Sequence, residues 1–131
     1  GTPNIAGVIG FGAAIDYMNS IGFDNIEAYE KELLDYATEN LKKIDNIKIY
    51  GDTDHKISVI SFNIGNHHPS DIGSILDQYG IAVRTGQHCT QPIMDHFNIP
   101  GTVRASFSFY NTKSEIDLFI DAIEKASKML G

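Results

Sequence analysis

Residues 103–109, Val103-Arg104-Ala105-Ser106-Phe107-Ser108-Phe109, alternate apolar and polar side chains without a break. A period of two puts Val103, Ala105, Phe107 and Phe109 on one face of a strand and Arg104, Ser106 and Ser108 on the other. One face is suited to a core, and the other carries a guanidinium among hydroxyls. Downstream, Thr112 and Glu115 have capping-box spacing. Ile116, Phe119, Ile120, Ile123 and Met129 then recur at helical intervals. Upstream, Pro100-Gly101 makes a turn, and Pro92 opens a short helix to about Phe97. Ile60, Phe62 and Ile64 alternate with Ser61 and Asn63 as a second one-sided strand.

Working further out, Ile72, Ile75, Leu76 and Tyr79 mark a helix that stops at Gly80, followed by a brief strand at Ile81–Val83. Ile47–Tyr50 is a short strand turned by Gly51-Asp52. Asp24 and Glu27 start a long amphipathic helix through Ile26, Tyr29, Leu33, Ala37, Leu41 and Ile44. The first segment reads as a helix from a Thr2-Pro3 start to about Asn19. It is apolar on nearly every side and so is expected to be deeply buried, although a chain of this size is too small to cover it. It also tolerates Gly7, Gly10 and Gly12, which points to another backbone packed close by. No linker, repeat or low-complexity tract interrupts the series. The whole chain, residues 1–131, therefore reads as one α/β (α+β) domain with a short sheet packed with helices.

The 131 residues carry 10 Lys+Arg against 17 Asp+Glu, a net charge of −7, which argues against binding to nucleic-acid phosphates. A single cysteine, Cys89, excludes an internal disulfide and the cysteine-rich zinc sites, and fits a reducing compartment such as the cytoplasm. His67, His68, His88, Cys89 and His96 show no recognised metal-ligand spacing, so no metal is expected.

Cys89 lies in a polar, non-periodic stretch, Thr85–Gln91, next to His88 and five residues after Arg84. A cysteine is ordinarily a small buried hydrophobe. The polar neighbours here point instead to an accessible thiol, whose thiolate fraction a nearby Arg or protonated His raises. The chain's two arginines, Arg84 and Arg104, are forks suited to carboxylate or phosphate, or else solvated surface groups. Thr2 at a helix start is a plain cap or one wall of an anion site.

Several segments, in this order, resemble the C-terminal part of SufS-like (group II) cysteine desulfurases, of the class V aminotransferase family. They are Gly1-Thr2-Pro3-Asn4, Ser61–Ile64, Tyr79-Gly80-Ile81-Ala82-Val83-Arg84-Thr85-Gly86-Gln87-His88-Cys89, Val103-Arg104-Ala105-Ser106 and Tyr110-Asn111-Thr112. The short cysteine loop is similar to group II rather than to the longer loop of the NifS/IscS group. The resemblance implies the small C-terminal domain of a fold-type-I transferase dependent on pyridoxal 5'-phosphate (PLP). Residues 1–20 would then connect to a large PLP-binding domain.

The resemblance also implies roles. Cys89 is the catalytic residue, taking sulfur from L-cysteine as a persulfide and releasing alanine, with His88 beside it. Arg104 binds the substrate carboxylate and Arg84 faces the site. Thr2 reaches the PLP phosphate across the interface of a homodimer. A SufE- or SufU-like protein accepts the sulfur for iron–sulfur cluster assembly. Gln87 stands where many relatives have His. None of the eight lysines has the His-Lys context of the family's Schiff-base lysine. The chain is therefore expected to be a C-terminal fragment that binds no PLP and turns over no cysteine alone. The alternative reading is a stand-alone persulfide carrier without cofactor.

Overall fold

The computed structural model describes every residue from Gly1 to Gly131. Nine elements follow one another: α1 (Ile5–Ile21), α2 (Phe23–Leu41), β1 (Ile47–Tyr50), β2 (Val59–Ile64), α3 (Pro69–Gln78), β3 (Arg84–Gly86), α4 (Gln91–Phe97), β4 (Thr102–Ser106) and α5 (Lys113–Leu130). The strands form one antiparallel sheet in the order β1-β2-β4-β3. Ile60, Phe62 and Ile64 of β2 and Val103 and Ala105 of β4 supply its buried face. Leu33, Leu34, Ala37 and Leu41 of α2, Ile72 and Leu76 of α3, and Ile116, Phe119, Ala122, Ile123 and Ala126 of α5 pack against them in one core. This two-layer arrangement agrees with the α/β expectation.

The opposite sheet face is polar. The register aligns Tyr50 with Ser61, Ser61 with Arg104, and Arg104 with Arg84, so one row of side chains crosses all four strands. Phe97 of α4 reaches Tyr50 on this face, with ring centroids 5.3 Å apart.

Backbone groups already engaged elsewhere move several boundaries. Ile81–Val83 is not a strand. At the end of α3, Gly80 takes φ +74°, and the N–H groups of Gly80 and Ile81 donate to Asp77 O (2.9 Å) and Leu76 O (3.0 Å). That is a Schellman closure, so the Ile81 donor is not free for a ladder, and pairing starts only at Arg84. The last strand ends at Ser106 rather than Phe109. Phe107 N–H still reaches Ser58 O, but Ser108 N–H donates to Asn111 Oδ1 (2.8 Å) and Phe109 N–H to Glu30 Oε1 (3.1 Å). The capping box on Thr112 is present, with Glu115 bonding back to the Thr112 N–H at 2.7 Å.

At the N-terminus the cap is Asn4, not Thr2: its Oδ1 accepts from Gly7 N–H at 3.0 Å, and the helix starts at Ile5. Asp24 and Glu27 do not form a box. Gly22, at φ +91°, is the N-cap of α2, and the two helices meet at a 78° bend. The second helix ends at Leu41, three residues short of Ile44, which still packs on the core.

No residue of α1 is buried. Val8 and Phe11 are 68% and 69% exposed, and Gly10 and Gly12 have no neighbour within 4 Å of a built Cβ. The deep burial and the close backbone expected of this segment are therefore not supplied by the chain itself. No single helix is long and apolar enough to cross a membrane.

Candidate active site

β3 lies against β4 for only three residues before the chain leaves the sheet. It turns where Thr90 N–H and Thr90 Oγ1–H both donate to Gln87 O, at 2.9 and 2.7 Å. Inside that turn His88 and Cys89 have φ of +54° and +59°. Left-handed backbone costs an L-residue roughly 1–2 kcal/mol. Two such residues in succession therefore need support from their surroundings. The His88 side chain supplies a contact: Nε2 lies 3.1 Å from the Thr102 carbonyl oxygen and 3.0 Å from Thr102 Oγ1. Cys89 itself is exposed. The accessible state expected for it is the one observed.

A close approach of backbones fixes where this loop leaves the sheet. A Cβ built on Gly101 would lie 2.7 Å from both C and O of Gly86, which are backbone atoms that cannot swing aside. Gly101→Ala is expected to push β3 off β4 and destabilise the domain by about 1–3 kcal/mol. Chemical denaturation of the chain checks this, and an unchanged midpoint would show that the contact relaxes freely.

Arg84 and Arg104 are directly opposed across β3 and β4. Their side chains leave the sheet on one face, where like charges repel. Acidic residues outnumber basic ones, yet none of the four ion pairs involves either arginine. Arg104 is half-buried beside Ser61 and Ala105, and its Nε is buried without a hydrogen-bond partner. An arginine pair so arranged is ready to receive an anion, and a carboxylate accepts two parallel bonds from one fork.

His88 departs from one expectation. Burial pushes its imidazole below the ordinary histidine value, and the charges of Arg104 and Arg84 push the same way, against the opposing effect of the bond to Thr102. That shift disfavours the protonated neighbour that would favour a thiolate.

Thr2 is exposed in the segment before α1 and makes no hydrogen bond to any of these residues. The site thus assembles Cys89, His88, Arg84 and Arg104, and not Thr2. Thr102 was missed from sequence. Its signal was the alternation of residues 103–109 carried one step back, which places Thr102 on the face of Arg104. The other histidines do not gather: His68 is the N-cap of α3, and no three His, Cys, Asp or Glu side chains form a cluster.

A cavity of about 1040 Å³ lies between α2 and residues 52–58, and its lining includes none of the four site residues. Chemistry rather than volume locates the site here.

An antiparallel sheet backed by helices on one face, with Arg84 and Arg104 opposed on the other and an exposed cysteine on the turn after β3, defines a two-layer α/β domain. The chain belongs to the aminotransferase class-V family, whose model matches residues 1–119. It is 48% identical over its whole length to a cysteine desulfurase of Serratia proteamaculans and 44% identical to one of Escherichia coli. It spans 32% of the length of each of these curated relatives. Among solved structures, the apo cysteine desulfurase of Thermococcus onnurineus superposes with a TM-score of 0.93 at 41% identity, covering 98% of this chain and 32% of that one. The cysteine desulfurase CsdA (S-sulfonic acid) of Escherichia coli gives 0.90 at 36% identity, again over 98% of this chain and 32% of the other.

Proposed function

We propose that the chain acts as the C-terminal domain of a PLP-dependent cysteine desulfurase and carries the sulfur-accepting half of its site. The observation that carries this reading is the exposed Cys89 thiol on a left-handed turn that follows β3, the strand Arg84 opens, and is fastened to the strand of Arg104. Identity to enzymes named cysteine desulfurase supports it.

In this reading Arg104, with Arg84 beside it, holds the carboxylate of L-cysteine. Cys89 attacks the substrate sulfur as a thiolate. A bond forms between the two sulfurs, and the substrate's carbon–sulfur bond breaks with its electron pair leaving on carbon. Protonation of that carbon gives alanine, and Cys89 keeps the sulfur as a persulfide. PLP supplies the electron sink for such chemistry in its enzymes. On this chain the fit to the cofactor is partial. Arg104, with an orphaned Nε, suits the bound substrate's carboxylate. Thr2, exposed before α1, is the residue assigned to the cofactor phosphate, across a homodimer interface. No lysine joins the Cys89 group.

The exposed apolar helix α1 would connect to a large PLP-binding domain and be covered there. The subtype is SufS-like, the sulfur passes to a SufE- or SufU-like acceptor for iron–sulfur cluster assembly, and the compartment is the cytoplasm. The lone free thiol supports that compartment.

The reading separates from a cofactor-free persulfide carrier by a simple experiment. Mixed with PLP and L-cysteine, the isolated chain is expected to yield alanine no faster than PLP in buffer, whereas the parent enzyme turns over. A saturable rate from the chain that disappears in Cys89→Ser would contradict the division of the site. A parent protein that is inactive with cysteine, paired with a chain that takes sulfur from another persulfide, would favour the carrier. Arg104 speaks against the carrier, because passing on a persulfide requires no carboxylate clamp.

A further inference from the structure

We propose that His88 is a positioning residue: a neutral imidazole, protonated on Nε2, that clamps the Cys89 turn to Thr102 of β4 and holds the thiol in place for sulfur transfer. The inference rests on the reading of Cys89 as the sulfur acceptor and deepens it.

Three observations on different atoms carry the clamp. His88 and Cys89 are adjacent non-glycine residues with positive φ, a conformation the backbone does not keep without outside support. The only side-chain anchor found on either is the contact of His88 Nε2 with Thr102 O and Oγ1. Thr102 is fixed in turn, being 2% exposed and paired with Gly86 across β3 and β4. The clamp therefore closes a short circuit from β3, through the cysteine turn, back to the neighbouring strand.

The Thr102 carbonyl favours one tautomer. A carbonyl oxygen only accepts, so Nε2 carries the hydrogen and the Thr102 hydroxyl shares it. Nδ1 is then a bare acceptor, and it is buried without a partner. Adding a proton there would create an N–H with no acceptor. The charged groups that bear on the ring, Arg104 from β4 and Arg84 from β3, are both positive and oppose it. Burial, the first cause of the lowered value, acts in the same direction.

The sign for stability follows. Between the ordinary histidine value and the lower folded one, the unfolded chain binds more protons, so stability rises with pH there. The contribution is complete above the ordinary value and declines as pH falls below it toward the folded value.

The test uses this chain labelled with nitrogen-15 in histidine, with the His88 signal assigned by its loss in His88→Gln. Long-range proton–nitrogen correlations are expected to show Nε2 protonated and Nδ1 bare at pH 7. That state should persist below the ordinary histidine value. Glutamine places an amide N–H near the position of Nε2 and does not titrate, so it should keep the clamp. Amide exchange at Thr90 is expected to stay slow in His88→Gln and to speed up by about tenfold or more in His88→Ala.

In the parent enzyme, His88→Ala should lower kcat by about tenfold or more with KM for cysteine little changed, and His88→Gln should restore most of it. An Nδ1-protonated ring, titration at or above the ordinary histidine value, or His88→Ala with unchanged Thr90 exchange and unchanged kcat would each overturn the clamp. A wild-type parent that transfers no sulfur would overturn the role of Cys89. The tautomer and the amide exchange would still judge the clamp.

Discussion

Cys89→Ser in the parent enzyme is expected to abolish sulfur transfer, with kcat falling on the order of 10³-fold or more, the scale on which loss of a nucleophile is felt. Serine is isosteric, but it neither ionises at neutral pH nor forms a persulfide. The fold should not register the change. Cys89 is exposed and outside the core, where substitutions usually shift stability by less than about 0.5 kcal/mol. The pair of measurements is alanine production by the enzyme and denaturant unfolding of the chain. Activity within a few-fold of wild type would remove Cys89 from the chemistry.

Arg104→Ala is expected to weaken cysteine binding in the parent enzyme by about 10- to 100-fold. A charge-assisted bidentate pair contributes about 1.5–3 kcal/mol, and each 1.4 kcal/mol is tenfold in affinity. Arg104→Lys keeps the charge and loses the fork, so it should fall between wild type and Arg104→Ala. Stability should stay within about 0.5 kcal/mol, because the core side of β4 is Val103 and Ala105 and removing Arg104 relieves its repulsion with Arg84. Substrate affinity by titration and the unfolding midpoint decide the matter. A collapsed domain with intact affinity would make Arg104 a structural residue.

Elements with a single strong period were legible in the sequence. The alternation at Ile60–Ile64 and Val103–Ser106 and the helical recurrence at Ile116, Phe119 and Ile123 each name a buried face, and those apolar residues form the core, whereas Ile120 sits at its margin and Met129 is exposed. What periodicity does not contain is competition for backbone donors. Ile81–Val83 has strand composition, yet the Ile81 N–H is used to close α3. Ser108 and Phe109 continue the alternation, yet Asn111 and Glu30 take their N–H groups. Thr2-Pro3 and Asn4 are both plausible starts for α1, and only the geometry shows Asn4 Oδ1 on Gly7.

The site was legible in part. Cys89, His88, Arg84 and Arg104 could be named from residue types and order. That the two arginines sit opposite one another depends on strand register, which pairs residues 20 positions apart in sequence. The lowered value of His88 comes from its burial, with the charges of Arg104 and Arg84 acting the same way, and no local pattern carries that.

The account stands most directly on where the sulfur goes. The parent enzyme, exposed to L-cysteine without reductant and then digested, should yield the peptide containing Cys89 heavier by one sulfur atom. The gain should be lost on treatment with a thiol reductant. A Cys89 peptide of unchanged mass, recovered from enzyme that is releasing alanine, would contradict it.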